Sequence, residues 1–410
     1  GRIFLYRVLG AIAPEERALD HHLLTLQREE MIRERARLPE LEYIFKHHLT
    51  QEAAYNGLLR KERRIFHRRV AEALEKLFPD HVEEQAGRLA YHWERAGESE
   101  KAISYLLQAG DRARRLGASM EAIDFYQLAL QRLAAPEASG ATIERHRIHE
   151  RLGDVYLLNL SRHDEALEHY ESFLALAESE EGRARAGRKI AVVHLLRGRS
   201  TEAQEHYEAA LARLSALPPC AEASRLHCGF AYLLVSRNRL QEAGEHARAG
   251  LEISGRIGDA SGLAEANKVM GMMAYYREDL EVACERFERS LALYRELGDL
   301  PRTAQACNNV GHTYRRLGEM DRALGYLNEG LELARRIGDT RDEANLLTTK
   351  AGLFLDQGEW GAAIAHLERA LPLAEESGVA AGIIEVHQIL GSAYEGVGQL
   401  GDARRHLEVA

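Results

Sequence analysis

Three kinds of side chain in this sequence could carry chemistry, and spacing decides what each can do. Nineteen histidines invite a metal ion. His21 and His22 are adjacent, as are His47 and His48, and neighbours in a helix point to different faces. His163 and His169 lie six apart, which is equally poor for one face. Metal ligation demands converging geometry that none of these spacings supplies, so no metal or other cofactor is expected. The four cysteines, Cys220, Cys228, Cys284 and Cys307, form no C-x-x-C pair. Cys284 and Cys307 fall at helical packing positions, where a free thiol behaves as a small hydrophobe. That usage suits a reducing, cytoplasmic setting.

The run RKERRIFHRR, residues 60–69, gathers six basic residues. It reads as the solvated face of an amphipathic helix on which Ile65, Phe66, Val70, Ala73, Leu74 and Leu77 make the apolar stripe. The chain holds 54 basic and 64 acidic residues, a net charge of −10, which argues against nucleic acid as a partner. No P-loop, nucleophile elbow or H-E-x-x-H pattern occurs. The expectation is a non-enzyme with no catalytic residue. No run of about 18 apolar residues is present, so no membrane span is expected. Trp93 and Trp360 read as helix packing.

What positions the remaining polar residues is a repeat. LEISGRIGDASGLA (251–264), LALYRELGDLPRTA (291–304) and LELARRIGDTRDEA (331–344) follow one another at forty-residue steps. A repeat of that length signals a stacked array. One column reads Ala203, Ala243, Ala283, Ala323, Ala363 and Ala403; a second reads Ala231, Gly271, Gly311, Ala351 and Gly391. Small residues there let two helices approach closely. Leu234, Ala274, Tyr314, Phe354 and Tyr394 follow three residues later as fillers. Gly318, Gly358 and Gly398, with Asn238 and Glu278 in the earlier slots, mark a turn. Gly258, Gly298, Gly338 and Gly378 mark the other turn, and Asp339 after Gly338 reads as the next N-cap. Each repeat is therefore two antiparallel helices.

The stretch NNVGHTYRRLGEMDRALGYLNEGLELA from Asn308 resembles the tetratricopeptide repeat in its Gly-x-x-Tyr, Leu-Gly and Ala-x-x-x-Leu/Phe pattern. The resemblance implies an all-α fold, a TPR-type α-solenoid that winds as a right-handed superhelix of about forty-residue hairpins. Some eight to nine hairpins are expected over residues 81–410, the last one cut short at Ala410. Ala102 and Ala122 are expected to head the earliest repeats, and the steps from Ala122 to Ala166 and from Ala166 to Ala203 depart from forty. AAPEASGAT (134–142) and ALPPCAEA (216–223) read as lengthened loops between repeats.

Residues 1–80 lack the repeat. IFLYRVLGAI and EERALDHHLLTLQRE read as helices, EMIRER and ELEYIFKH as strands joined through ARLP, and LTQEAAYNGLL and RKERRIFHRRVAEALEKLF as helices. YIFKHHLTQEAAYNGLLRKERRIFHRRVAEALE resembles the junction that follows the ATPase core of bacterial STAND-type signalling ATPases, including those linked to class III adenylate/guanylate cyclases and related transcriptional regulators. The resemblance implies a small winged-helix-like domain over 1–80 and a chain that is part of a longer protein. The ATPase and effector domains of that parent would be partners of this chain.

In such repeats the first helix of each hairpin lines a concave groove. Around Gly311 that face carries Gln305, Asn308, Asn309, His312, Arg315 and Arg316. One repeat earlier it carries Glu265, Lys268, Val269, Met272, Tyr275 and Tyr276; one repeat later, Asn345, Thr348, Thr349, Gly352, Leu355 and Asp356. By resemblance, Asn309 stands where peptide-binding members hold a ligand backbone, and an amide can both donate and accept. Lys268, Arg315 and Arg316 would take a carboxylate, and Tyr275 and Tyr276 an apolar anchor. The expectation is a protein or peptide in this groove, regulating an attached effector. Alternatives are a small-molecule sensor and a self-association surface that makes a homo-oligomer.

Overall fold

The computed structural model describes residues 2–13, 16–37, 40–133 and 142–410. Half of the ARLP joint and most of the 134–142 linker lie outside them. The chain forms two compact units, residues 1–160 and 161–410.

The second unit is a TPR-type α-solenoid. After α9 (His163–Leu176) come six hairpins. They are α10 (Glu180–Leu196) with α11 (Ser200–Leu214), α12 (Ala221–Ser236) with α13 (Leu240–Ile257), and α14 (Ala260–Tyr276) with α15 (Leu280–Glu296). Then follow α16 (Leu300–Leu317) with α17 (Met320–Ile337), α18 (Thr340–Asp356) with α19 (Trp360–Ser377), and α20 (Ala380–Gly396) with α21 (Leu400–Val409).

The alanine column from Ala203 to Ala403 is buried throughout. The second small-residue column meets a residue sixteen further on, in the partner helix. A Cβ built on Gly271 would stand 2.7 Å from Phe287, on Gly311 2.8 Å from Leu327, and on Gly391 2.6 Å from Leu407. The size of one residue thus requires the smallness of the other, and a methyl forced into such a contact costs about 1–3 kcal/mol. Tyr314 stacks on Tyr326 and Phe354 on His366, which fills the next layer.

The turn slots behave as the repeat demands. Gly318, Gly358 and Gly398 are left-handed, and so are Asn238 (φ 58°) and Glu278 (φ 63°) in the equivalent places. Asp339 caps α18 by accepting from the Asp342 amide at 2.9 Å, and Asp299 caps α16 in the same way. Cys228, Cys284 and Cys307 are buried. Burial pushes their thiols up, to about 12, 11 and 12, so they pack and do not react.

The first unit departs from the sequence reading in three places. Ile3–Leu5 is a strand, β1, where a helix was expected, and only Tyr6–Ile12 is helical (α1). It pairs antiparallel with β3 (Glu42–Phe45), whose other edge takes β2 (Ile32–Ala36), giving the order β1-β3-β2. The sheet covers α2 (Glu16–Arg28) through Leu19, Leu23, Ile32 and Tyr43. After α3 (His48–Asn56), α4 (Arg60–Leu77) departs from the expected stripe in its first half only: Ile65 and Phe66 are exposed and His67 and Ala71 are buried, whereas Ala73 and Leu74 are buried and Val70 and Leu77 pack on the core as expected. Finally α5 (Val82–Ala96), α6 (Ser99–Arg115) and α7 (Ser119–Leu133) form a stack in which α6 packs on both neighbours, and α8 (Thr142–Asp154) follows on α7. Ala102 and Ala122 therefore mark consecutive helices, half a repeat apart, and do not head two successive repeats. Trp93 is buried and donates to Glu75 Oε1 at 2.9 Å.

One pair of substitutions separates the two uses of glycine. Gly318→Ala puts a side chain at φ +79° and should cost about 1–2 kcal/mol. Gly325→Ala, inside α17 with nothing within 4 Å, should stabilise by about 0.5–1 kcal/mol. Urea unfolding followed by circular dichroism measures both.

Candidate functional site

In the second unit the first helices lie side by side: α10 beside α12, α12 beside α14, α16 beside α18, and α18 beside α20. Between α14 and α16 the backbones stand further apart, and long side chains span the gap. Arg316 is the centre of that bridge. Its guanidinium donates to Tyr275 Oη at 3.1 Å and to Glu278 Oε2 at 2.7 Å. His312 lies against the Tyr275 ring, with centroids 5.3 Å apart, and Tyr276 stands beside it, 59% exposed. Burial, followed by the charges of Arg315 and Arg316, holds His312 down at about 4. It is a neutral ring at ordinary pH.

A second group joins α16 to α18. Arg315 Nε stands 3.2 Å from Asp356 Oδ2. Its guanidinium lies over Gly352, where any Cβ would collide with it. At the other end of α18 the buried Asp342 has its carboxyl raised by burial and by Asp339, against a hydrogen bond from Gln305 that lowers it. The Asn308 Oδ1 is buried and unpartnered among the described residues. Asn309 is half-buried, and its side-chain amide has no hydrogen bond among the described residues; only its carbonyl is used, by Thr313 Oγ1 at 2.8 Å.

Lys268 pairs with Glu265 at 2.5 Å on its own helix, and Glu265 also accepts from Tyr294 Oη at 2.8 Å. Burial raises the Glu265 carboxyl, but the Lys268 charge and these two hydrogen bonds outweigh it and leave it lowered. Asn345 is exposed and lines a separate cavity of about 210 Å³ with Arg341, Thr348, Ser377 and Glu385.

The ten expected residues thus fall into three places. Tyr275, Tyr276, His312 and Arg316 meet at α14–α16; Gln305, Asn308, Asn309 and Arg315 lie along α16, and of these Gln305 and Arg315 reach α18; Lys268 and Asn345 stand apart. Val269, Thr348 and Gly352, equivalents on the expected face, are buried, so the open strip is narrower than sequence spacing implied. All three cations already hold a carboxylate, and a carboxylate ligand would have to displace Asp356 or Glu278, both exposed. Sequence reading missed Glu278 and the buried Asp342. It also missed three histidine pairs joined Nδ1 to Nδ1, His67–His92, His227–His246 and His387–His406, at 2.9, 2.9 and 2.8 Å. The last two are nineteen residues apart, the step from one helix to its partner. Among the described residues no group of three or more His, Cys, Asp or Glu could hold a metal, and no helix is long and apolar enough to cross a membrane.

Tetratricopeptide repeat models match residues 148–184 and 262–336. These stretches are tetratricopeptide repeats. Solved structures share the fold. A STAND protein with a tetratricopeptide repeat sensor, from Pyrococcus horikoshii, has a TM-score of 0.52 at 15% identity, covering 99% of this chain and 53% of its own. The quorum sensor NprR of B. thuringiensis, in apo form, has 0.56 at 15%, covering 88% and 98%. The Rap conjugation gene regulator of plasmid pLS20, in complex with the Phr* peptide, has 0.56 at 17%, covering 79% and 93%. An uncharacterized protein of Rhizobium meliloti is 39% identical over 88 residues, 22% of this chain. The match spans 9% of that relative's length.

The depressed His312 gives a direct check. Its NMR titration should stay flat from pH 8 to about 5, and Arg316→Ala should move its midpoint upward by removing one of the charges that hold it down. The unfolded ring binds a proton near 6.5, so the stability this group contributes is present above that value and is lost as pH falls toward about 4.

Proposed function

We propose that this chain is the sensing region of a cytoplasmic bacterial signalling ATPase, and that its α14–α16–α18 strip binds an extended peptide or protein segment. In this reading residues 1–80 are a winged-helix-like module and 81–410 the repeat array. The observation that carries it is Asn309. Its amide has no hydrogen bond among the described residues, and it lies one and two helical turns before His312 and Arg316 on the same face of α16. A peptide backbone offers both a donor and an acceptor to such a group. Glu278 supports the reading: it keeps a left-handed backbone where the later repeats use glycine, and its carboxylate holds Arg316 across the α14–α16 gap. Strain of that kind collects at binding sites. The likeness to peptide-bound Rap and to the STAND sensor supports both the ligand class and the parent. Binding would bias the parent's effector only by favouring one of two array conformations. The cavity beside Asn345 favours a second reading, a small polar ligand.

A random peptide library selected on the whole chain tests this. Enriched peptides should bind saturably by fluorescence anisotropy, and Asn309→Ala and Arg316→Glu should each weaken them about tenfold. Arg404→Glu, on α21, should leave them unchanged. Enrichment that survives both strip substitutions would contradict the assignment; loss on Asn345→Ala alone would transfer it to the second reading.

A further inference from the structure

At forty-residue steps the column through α16 reads Ile190, Phe230, Met270, Val310, Lys350 and Leu390. Five helices place carbon there, and Ile190, Phe230, Val310 and Leu390 are buried. In α18 the same position holds an ammonium. Lys350 is half-buried, and even partial withdrawal of an ammonium from water costs stability unless a counter-charge meets it. None does: Lys350 donates to the neutral Asn328 Oδ1 at 2.8 Å, and no carboxylate pairs with it among the described residues.

The same interface has exchanged its acids for neutral or basic groups. One repeat earlier, Arg295 on α15 binds both carboxylate oxygens of Glu329 on α17, at 2.8 and 2.7 Å. Forty residues on, the corresponding residues are Arg335 and Arg369. Glu288, which accepts from Tyr314 and Tyr326 at 2.7 and 2.9 Å, corresponds to Asn328. Arg335 turns instead to Glu343 on α18, at 2.7 Å, and Arg369 has no ion-pair partner among the described residues.

These groups face one cleft of about 410 Å³, lined by Asn328, Glu332, Arg335, Lys350, His366 and Arg369 over a floor of leucines. The His366 Nδ1 is buried without a partner. Burial and then the charges of Arg335 and Arg369 hold Lys350 below its ordinary value; His366 is lowered by burial and then by Lys350, Arg369 and Arg335. The cleft is positive even with Glu332 at its edge and Glu343 on Arg335.

We propose that this cleft between α17, α18 and α19 binds a small phosphorylated molecule, its phosphoryl group held by Lys350 and Arg369. A guanidinium presents two parallel donors to phosphoryl oxygens and an ammonium adds a point charge. Arg335 and the His366 ring nitrogen stand beside that group, and the volume leaves room for the rest of the ligand along Leu331 and Leu347. The site is built mainly on second helices and does not use the peptide-binding strip of the first helices.

Calorimetric titration of the whole chain with inorganic phosphate and with pyrophosphate, at fixed ionic strength, is the test. Saturable binding is expected, tighter for pyrophosphate. Arg369→Glu, which restores the acid found in the preceding repeat, and Lys350→Met, which restores the apolar column, should each weaken it about tenfold or more. Both should also melt above the native chain when no phosphate is present. Lys350→Met keeps the test decisive if the charge reversal disturbs folding. Absence of saturable heat with the native chain, or binding unchanged in Lys350→Met, would overturn the proposal.

Discussion

Everything in the second unit depends on how closely two helices can approach within a hairpin. Gly311 has no side chain because Leu327 occupies that space, and Gly271 and Gly391 stand in the same relation to Phe287 and Leu407. Where the first helix carries Ala231, the partner residue is the small, buried Ala247. This pairing fixes which side of each first helix is buried. The opposite side is left to solvent and to its neighbours one repeat away, and it can vary without cost to the hairpin. Tyr275, His312 and Arg316 occupy that freed side.

The contacts on the freed side also obey the repeat. Arg316 reaches Glu278, 38 residues back, and Tyr275, 41 back; Arg315 reaches Asp356, 41 ahead; Arg302 reaches Ser261, 41 back. First helices are therefore linked at about one repeat's separation by exposed ion pairs and ring contacts. Exposed pairs of this kind contribute about 0–1 kcal/mol each. The hairpin interiors hold the array together. The links between first helices are weak enough for a ligand to replace, as the proposed peptide site requires.

The sequence made the hairpins legible because several columns repeat in register, and both glycine slots and the Asp339 cap stand where the period put them. It was less legible wherever the period is silent. Ile3–Leu5 is too short to show alternation, and its strand character comes from pairing with Glu42–Ile44, forty residues away. On α4 the second half of the apolar stripe faces the core, but Ile65 and Phe66 misled at its start, because His67 is the inward residue there, held by Tyr55 and His92. The strip was read too wide because Val269 and Thr348 share spacing with Asn309 and Asn308 and yet point inward. Lys350 is the one charged residue in its apolar column, and it stands out only as a break in the period.

The central claim is that the first-helix strip is the binding surface. Hydrogen–deuterium exchange of the whole chain, with and without a selected peptide at saturation, tests it most directly. Protection should rise in α14, α16 and α18 and stay unchanged in α15, α17 and α19. Protection confined to those second helices, or to residues 1–160, would contradict it.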